Sequence, residues 1–285
     1  MASRTSPTVR RRRLASEMRR LRRESGKTRE EAARFADIAP ATVSRIEAAV
    51  HAPKVADIMA LCKFYGLDDE RTEVLVTLAR QSRQRGWWHQ YSGSIPEWFE
   101  VYVGLEEEAS EILTYESEAV PGLLQTERYM RAILLADIRV PAEEEVERQV
   151  SLRLKRQERM TGGDAPKMWA VLNEAVIRRQ VGGSETFLEQ LEHITTLSRL
   201  NHINVVVLPY SAGAHPSMDG PCNVLRFPEP ADPDVVYVQY RRGSIYLEDA
   251  ADVDAYLDLF DHLRSRALSP DASRALMEQI AQGPT

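Results

Sequence analysis

Thr42 and Arg45 stand three residues apart in a stretch whose apolar positions are Val43 and Ile46. Arginine can donate two hydrogen bonds to a guanine edge, and threonine offers a base its hydroxyl or its methyl group. Ala41 and Ser44 share the polar side, and an alanine methyl suits thymine. A second set of polar residues is spread over the later chain: Glu116, Gln125, Glu174, Arg178, His215 and Tyr240. Each but His215 falls at the end of an expected strand or the start of a helix, where crevices form in α/β sheets, and His215 lies in the glycine- and proline-rich loop Pro209–Pro221. Together they would line a pocket for an anionic or polar small molecule, with Arg178 as its clamp. The alternative is that they make structural hydrogen bonds and ion pairs.

Catalytic motifs are missing from the sequence. There is no His-Glu-x-x-His metal motif, no Gly-x-Ser-x-Gly elbow and no Gly-x-x-x-x-Gly-Lys-Ser/Thr phosphate loop. An acid–base pair of His215 and Glu174 is the weak enzymatic alternative. Cys62 and Cys222 are too few and too far apart for a zinc cluster or a disulfide framework, and read as small apolar fillers of a cytoplasmic protein. Neither a metal nor a cofactor is expected, and the chain is read as a non-enzyme. No apolar run approaches the roughly 18–20 residues that span a bilayer, so no membrane is involved.

Helices must position the first set. Val9, Leu14, Met18 and Leu21 recur at helical spacing, which predicts a helix over 7–25 that stops at Gly26. Thr28-x-x-Glu31 reads as a capping box opening a short helix over 29–36. A tight connection, Asp37-Ile38-Ala39, leads to Pro40 at the first turn of a helix over 40–49. Two short helices around a buried Ile38 make a helix-turn-helix, whose second helix would enter a DNA major groove. The alternative is a packed helical domain that binds protein. A fourth helix over 55–65 and a fifth over 70–85 complete the set, the fifth with a stripe of Val74, Leu75, Leu78 and Ala79.

The run TREEAARFADIAPATVSRIEAAVHAP resembles the Cro/cI-type helix-turn-helix, also called the xenobiotic-response-element family. The matching features are Thr28, Glu31, the small Ala32 and Pro40-x-Thr42-x-Ser44-Arg45-Ile46-Glu47. The resemblance implies that Thr28 and Arg29 touch backbone phosphate. Arg10 and Arg13, within a run of four arginines, would do the same or enter a minor groove; the alternative is a solvated helix face. This copy departs from the pattern: Asp37 replaces the turn glycine, Ala39 the serine cap, and Ala49-Val50-His51 a glycine and basic residues. Further stretches, among them RGWWHQYSGSIPEWFEVYVGLEEEAS, TYESEAVPGLLQTERY, VVLPYSAGAHPSMDGP and VVYVQYRRGSIYLED, resemble actinobacterial regulators that join such a head to a C-terminal domain of unknown function. That resemblance implies a cytoplasmic transcription regulator, often paired with a small partner protein.

The chain has 285 residues and a formal net charge of -6, which taken whole argues against nucleic acid. The average hides a split. Residues 1–86 carry 19 Lys and Arg against 11 Asp and Glu, a net of +8, whereas residues 87–285 carry 18 against 32, a net of -14. The expected domains are therefore 1–86, a DNA-binding head with a trailing connector helix, and 87–285, an α/β (α+β) domain for an effector or partner. Trp87-Trp88 would pack at the join. The second part is expected to hold strands over 111–117, 168–172 and 203–208, then an antiparallel meander over 223–227, 235–240 and 244–247. Arg242-Gly243 is its expected hairpin turn. The expected function is that of a homodimeric regulator that reads a near-palindromic double-stranded DNA operator and senses a small-molecule effector or a small partner protein. The alternative is an antitoxin-like module that sequesters a small partner and regulates its own synthesis.

Overall fold

The computed structural model describes residues 6–230 and 232–283. They form two compact units, one running to Gln90 and including 229–232, the other comprising Tyr91–Pro228 and the chain from Pro233.

The first unit is all helical: α1 Pro7–Glu24, α2 Arg29–Ala36, α3 Pro40–Glu47, α4 Val55–Phe64 and α5 Asp69–Ser82. Its core is the expected apolar set, Leu14, Met18 and Leu21 of α1 against Ala32, Val43, Ile46, Ile58 and Leu61. Ala32 is fully buried, as a small residue at a close helix contact must be. The α5 stripe differs from expectation. Val76 is buried beside Leu75 and Ala79, whereas Val74 is 58% exposed. Ile38 is only partly buried. Helix α3 ends at Glu47, two residues short of expectation, because Ala49 takes a left-handed φ of 55° that interrupts the helix.

The second unit is α+β. Its elements are α6 Glu97–Glu106, β1 Glu111–Glu116, α7 Glu127–Leu135, α8 Glu143–Gln157, β2 Lys167–Asn173, α9 Gly183–Leu197, β3 Ile203–Leu208, β4 Cys222–Arg226, β5 Val235–Tyr240, β6 Gly243–Leu247, α10 Ala250–Arg266 and α11 Pro270–Ala281. One sheet has the order β3-β2-β1-β4-β5-β6. The β3-β2-β1 half is parallel and the β4-β5-β6 half is the expected antiparallel meander. The hairpin turn is Arg241-Arg242, since Gly243 already pairs with Tyr240 inside the ladder. The Tyr240 ring lies where a Gly243 side chain would stand.

Strand alternation gives the sheet two different faces. Leu113 and Tyr115 of β1, with Val171, Val206, Val224 and Val236, pack on Val253, Phe260 and Leu263 of α10. Ile112, Thr114 and Glu116 of β1 occupy the alternate positions and look the other way. The edge strand β3 is buried nearly throughout, as INVVVL implies, because the α10–α11 corner covers it. Leu268 N donates to Val207 O (2.8 Å), and Val207 N donates to Ser273 Oγ (2.9 Å). Such cover removes the hazard of an open edge.

Candidate nucleic-acid interface and ligand cavity

Local sequence dictates the helix-turn-helix geometry. Glu31 N donates to Thr28 Oγ1 (3.1 Å) and Thr28 N donates to Glu31 Oε2 (2.8 Å), which completes the capping box. Asp37 adopts φ 53°, the left-handed conformation that the turn requires and Asp tolerates. Ala39 offers α3 no side-chain cap, and Pro40 follows inside the first turn.

Helix α3 buries Val43, Ile46 and Glu47 and turns Ala41 and Arg45 outward, with Thr42 and Ser44 half-exposed beside them. Arg45 donates from its guanidinium to Thr42 Oγ1 (3.2 Å), so the two base-reading candidates share one face. Thr28 is exposed, but its hydroxyl already serves the cap. Arg29 is half-exposed and donates from Nε to Glu47 Oε2 (3.0 Å). Arg10 and Arg13 are half-buried on α1, and Arg10 also donates to Gln84 Oε1 (3.3 Å).

Sequence reasoning missed Glu47 as the joint of this unit. It is 1% exposed and accepts from Arg22 (2.5 and 3.1 Å) and Arg29, while its backbone carbonyl accepts from Arg19 (2.5 Å). One buried carboxylate thus ties α1, α2 and α3 together. The available signal was an acidic residue on the inward side of α3, directly after Ile46.

The second unit encloses a cavity of about 350 Å³, within the roughly 300–1,000 Å³ range of small-molecule pockets. Its floor is the face of the sheet opposite α10. Thr114, Asn223 and Tyr237 lie side by side on β1, β4 and β5, flanked by Ile112, Glu116 and Gln239. One wall is α6, with Trp98, Phe99, Tyr102 and Glu106, and the other is α8, with Gln149, Leu152, Arg153 and Arg156. The rim over 120–125 is pinned by glutamines. Gln125 Nε2 donates to Val120 O (2.6 Å), and Gln157 Nε2 donates to the carbonyls of Gly122 (2.9 Å) and Gln125 (2.8 Å).

The charges around this cavity are of two kinds. Arg156 and Glu106 form a bidentate buried pair (2.7 and 2.8 Å), with the guanidinium over the Phe99 and Tyr102 rings. That pair is internally satisfied. Arg153 is different: it donates to Gln125 Oε1 (2.9 Å), and among the described residues no carboxylate pairs with it. Burial, with Arg156 alongside, pulls its guanidinium down to about 10. Glu116 also lacks a hydrogen-bond partner among the described residues, and burial pushes its carboxyl up to about 8. Thr114 Oγ1 is buried with no partner among the described residues. Burial likewise holds the Tyr102 and Tyr237 hydroxyls well above the usual phenol range, and Tyr237 donates to Gln239 Oε1 (2.9 Å).

Two of the six pocket residues named from sequence, Glu116 and Gln125, line this cavity. The other four lie elsewhere. Glu174 accepts from Arg178 Nε (2.6 Å) and from the backbone N–H of Tyr210 (2.7 Å), so that pair anchors a loop. His215 meets the hydroxyl of Tyr115 (3.4 Å), on the α10 face of the sheet, where burial and then Arg266 lower its pKa. Tyr240 is 56% exposed and covers Gly243. The cavity residues that sequence reading passed over are Arg153, Thr114 and the α6 aromatics. Polar Thr114 and Glu116 at alternate positions of an otherwise apolar strand were the signal for two facing one side.

Both cysteines are buried and free, and burial raises their thiols to about 11 for Cys62 and about 12 for Cys222. Among the described residues no cluster of His, Cys, Asp and Glu is placed to hold a metal, and no helix is long and apolar enough to cross a membrane.

Residues 13–75 match a family described as a helix-turn-helix domain, which marks the first unit as a DNA-binding domain of the kind used in transcription regulation. No curated protein and no solved structure matches the chain. Residues 99–279, more than half of the sequence, match the family described as domain of unknown function DUF5753, and the chain belongs to that family.

Proposed function

We propose that the protein is a Cro/cI-type transcription regulator that reads double-stranded DNA with α3 and binds a small-molecule effector in its DUF5753 domain. The observation that carries the first half is the outward face of α3. Arg45 and Thr42 stand together there on a helix whose other side is locked into the core. A helix held that rigidly presents its side chains without further ordering cost. Two copies, with reading helices about 34 Å apart, would meet the half-sites of a near-palindromic operator. The acidic second unit repels DNA and leaves the basic head as the docking surface. An effector that binds two conformations of the chain unequally would shift DNA affinity. In this reading the protein acts in the cytoplasm and catalyses nothing.

The test uses an operator selected from random DNA by the full-length protein. Arg45→Ala should cost about 1–3 kcal/mol of discrimination between operator and scrambled duplex. Affinity should fall with salt by about 0.9 log units per log unit for each phosphate neutralised. Unchanged discrimination removes Arg45 from the reading face, and salt-independent binding removes the electrostatic argument.

A further inference from the structure

We propose that the cavity takes a small zwitterion of the amino-acid class, with its carboxylate on Arg153, its ammonium group toward Glu116 and Thr114, and its apolar or aromatic body against Trp98, Phe99, Tyr102 and Tyr237. The inference rests on reading the second unit as an effector domain and adds the class of effector.

A guanidinium and a carboxyl line one cavity, and they do not pair with each other. Neither has a protein counter-charge, although the neighbouring Arg156–Glu106 pair shows that this chain supplies one where the role is structural. A buried guanidinium with no carboxylate is costly, and a ligand carboxylate that completes it recovers that cost. The Arg153 guanidinium carries no carboxylate among the described residues, which suits an anion rather than a second cation. At the other end stand a carboxyl and an orphaned hydroxyl. Both can accept from an ammonium group, and a carboxyl held near neutrality by burial becomes fully charged once a cation arrives. Between the ends the lining is aromatic: Phe99 stacks on Tyr102 with centroids 5.5 Å apart, and Tyr102 meets Tyr237 at 4.3 Å. Such a wall suits a flat apolar body and would also attract a cationic group. The volume suits a single aromatic amino acid or a dipeptide.

Calorimetry on the full-length protein separates the parts with four probes that share one ring system: L-tryptophan, tryptamine, indole-3-propionate and indole. The zwitterion should bind at least ~10-fold tighter than tryptamine or indole-3-propionate, the difference a charged hydrogen-bonded contact supplies. Arg153→Gln should erase the margin over tryptamine, and Glu116→Gln the margin over indole-3-propionate. Arg153→Lys, which keeps the charge but not the fork, should keep part of the first margin, and a melting transition retained by each variant shows that it folds. Equal binding of the four probes, or margins that persist in the variants, overturns the zwitterion while leaving a ligand cavity in place. Failure of all four in the millimolar range overturns both the zwitterion and the effector-domain reading for this cavity.

Discussion

Glu116→Gln isolates the cost of burying a carboxyl that has no partner. In an unfolded chain glutamate titrates near about 4.3, and in the folded protein burial holds Glu116 at about 8. Glu106, Arg153 and Arg156 line the same cavity, and none of them bonds to it. Below the unfolded value both states carry the proton and the group costs nothing. Between the two values the folded chain keeps a proton that the unfolded chain has released. Stability therefore falls as pH rises through this interval and levels off above about 8. Each pH unit is worth about 1.36 kcal/mol, which sets a ceiling of about 5 kcal/mol. Water admitted to the cavity screens part of this and leaves about 1–3 kcal/mol. Glutamine has no proton to lose and escapes the penalty. The variant should match the parent in melting temperature below about pH 4 and exceed it by about 2–8 °C at about pH 8.5. Glu118→Gln, exposed and two residues along, removes the same formal charge outside the cavity and serves as the control. Parallel melting curves for parent and Glu116→Gln across the whole range would refute the burial argument.

Two further substitutions test the head. Glu47→Gln leaves Arg22 and Arg29 without their buried counter-charge and should cost about 3–5 kcal/mol in urea denaturation of the full chain; a loss below about 1 kcal/mol would place the stability of the three-helix joint elsewhere. Ala49→Gly relieves a left-handed alanine worth about 1–2 kcal/mol, offset in part by glycine's added chain entropy. A net gain of about 0.5–1 kcal/mol in the same assay is expected, and no gain would mean that the strain is absent.

The helical head was legible because its signals are local. A capping box, a proline at a first turn and apolar residues at helical spacing each act within a few residues, and the structure follows them apart from α3's early end, the partly buried Ile38 and the α5 stripe, where Val76 rather than Val74 is buried. The body was legible only as a list of elements. Its strand order depends on which strands pair across more than a hundred residues, as when Glu111 of β1 meets Arg226 of β4. No local pattern carries that information. The same limit governed the cavity. Glu116 and Gln125 were found because they sit at an element's end, whereas Arg153 sits mid-helix in α8 among charged neighbours. Glu174 and Arg178 satisfied the same end-of-element rule and His215 was read from its glycine- and proline-rich loop, yet their partners turned out to be protein groups. Position along an element selects residues that can reach a crevice, but strand parity decides which face the crevice is on. Tyr115 and Glu116 are adjacent in sequence and belong to opposite faces.

The distribution of charge in the head bears on how it would read DNA. Of its cations, Arg19, Arg22 and Arg29 are engaged with Glu47, and Arg20 is held between Glu17 and Glu24 on α1. The outward face of α3 is left with a single arginine, Arg45, beside small residues. A reading helix built this way gains little general attraction for phosphate from its own side chains, so that attraction must come from the rest of the basic unit. Base discrimination, by contrast, is concentrated in a few contacts around Arg45. Salt dependence and sequence discrimination therefore become separable quantities. Arg45→Ala should lower discrimination and leave the salt slope nearly unchanged. If the slope fell by about one phosphate's worth while discrimination held, Arg45 would be a phosphate anchor, and the sequence-reading contacts would have to lie on other residues.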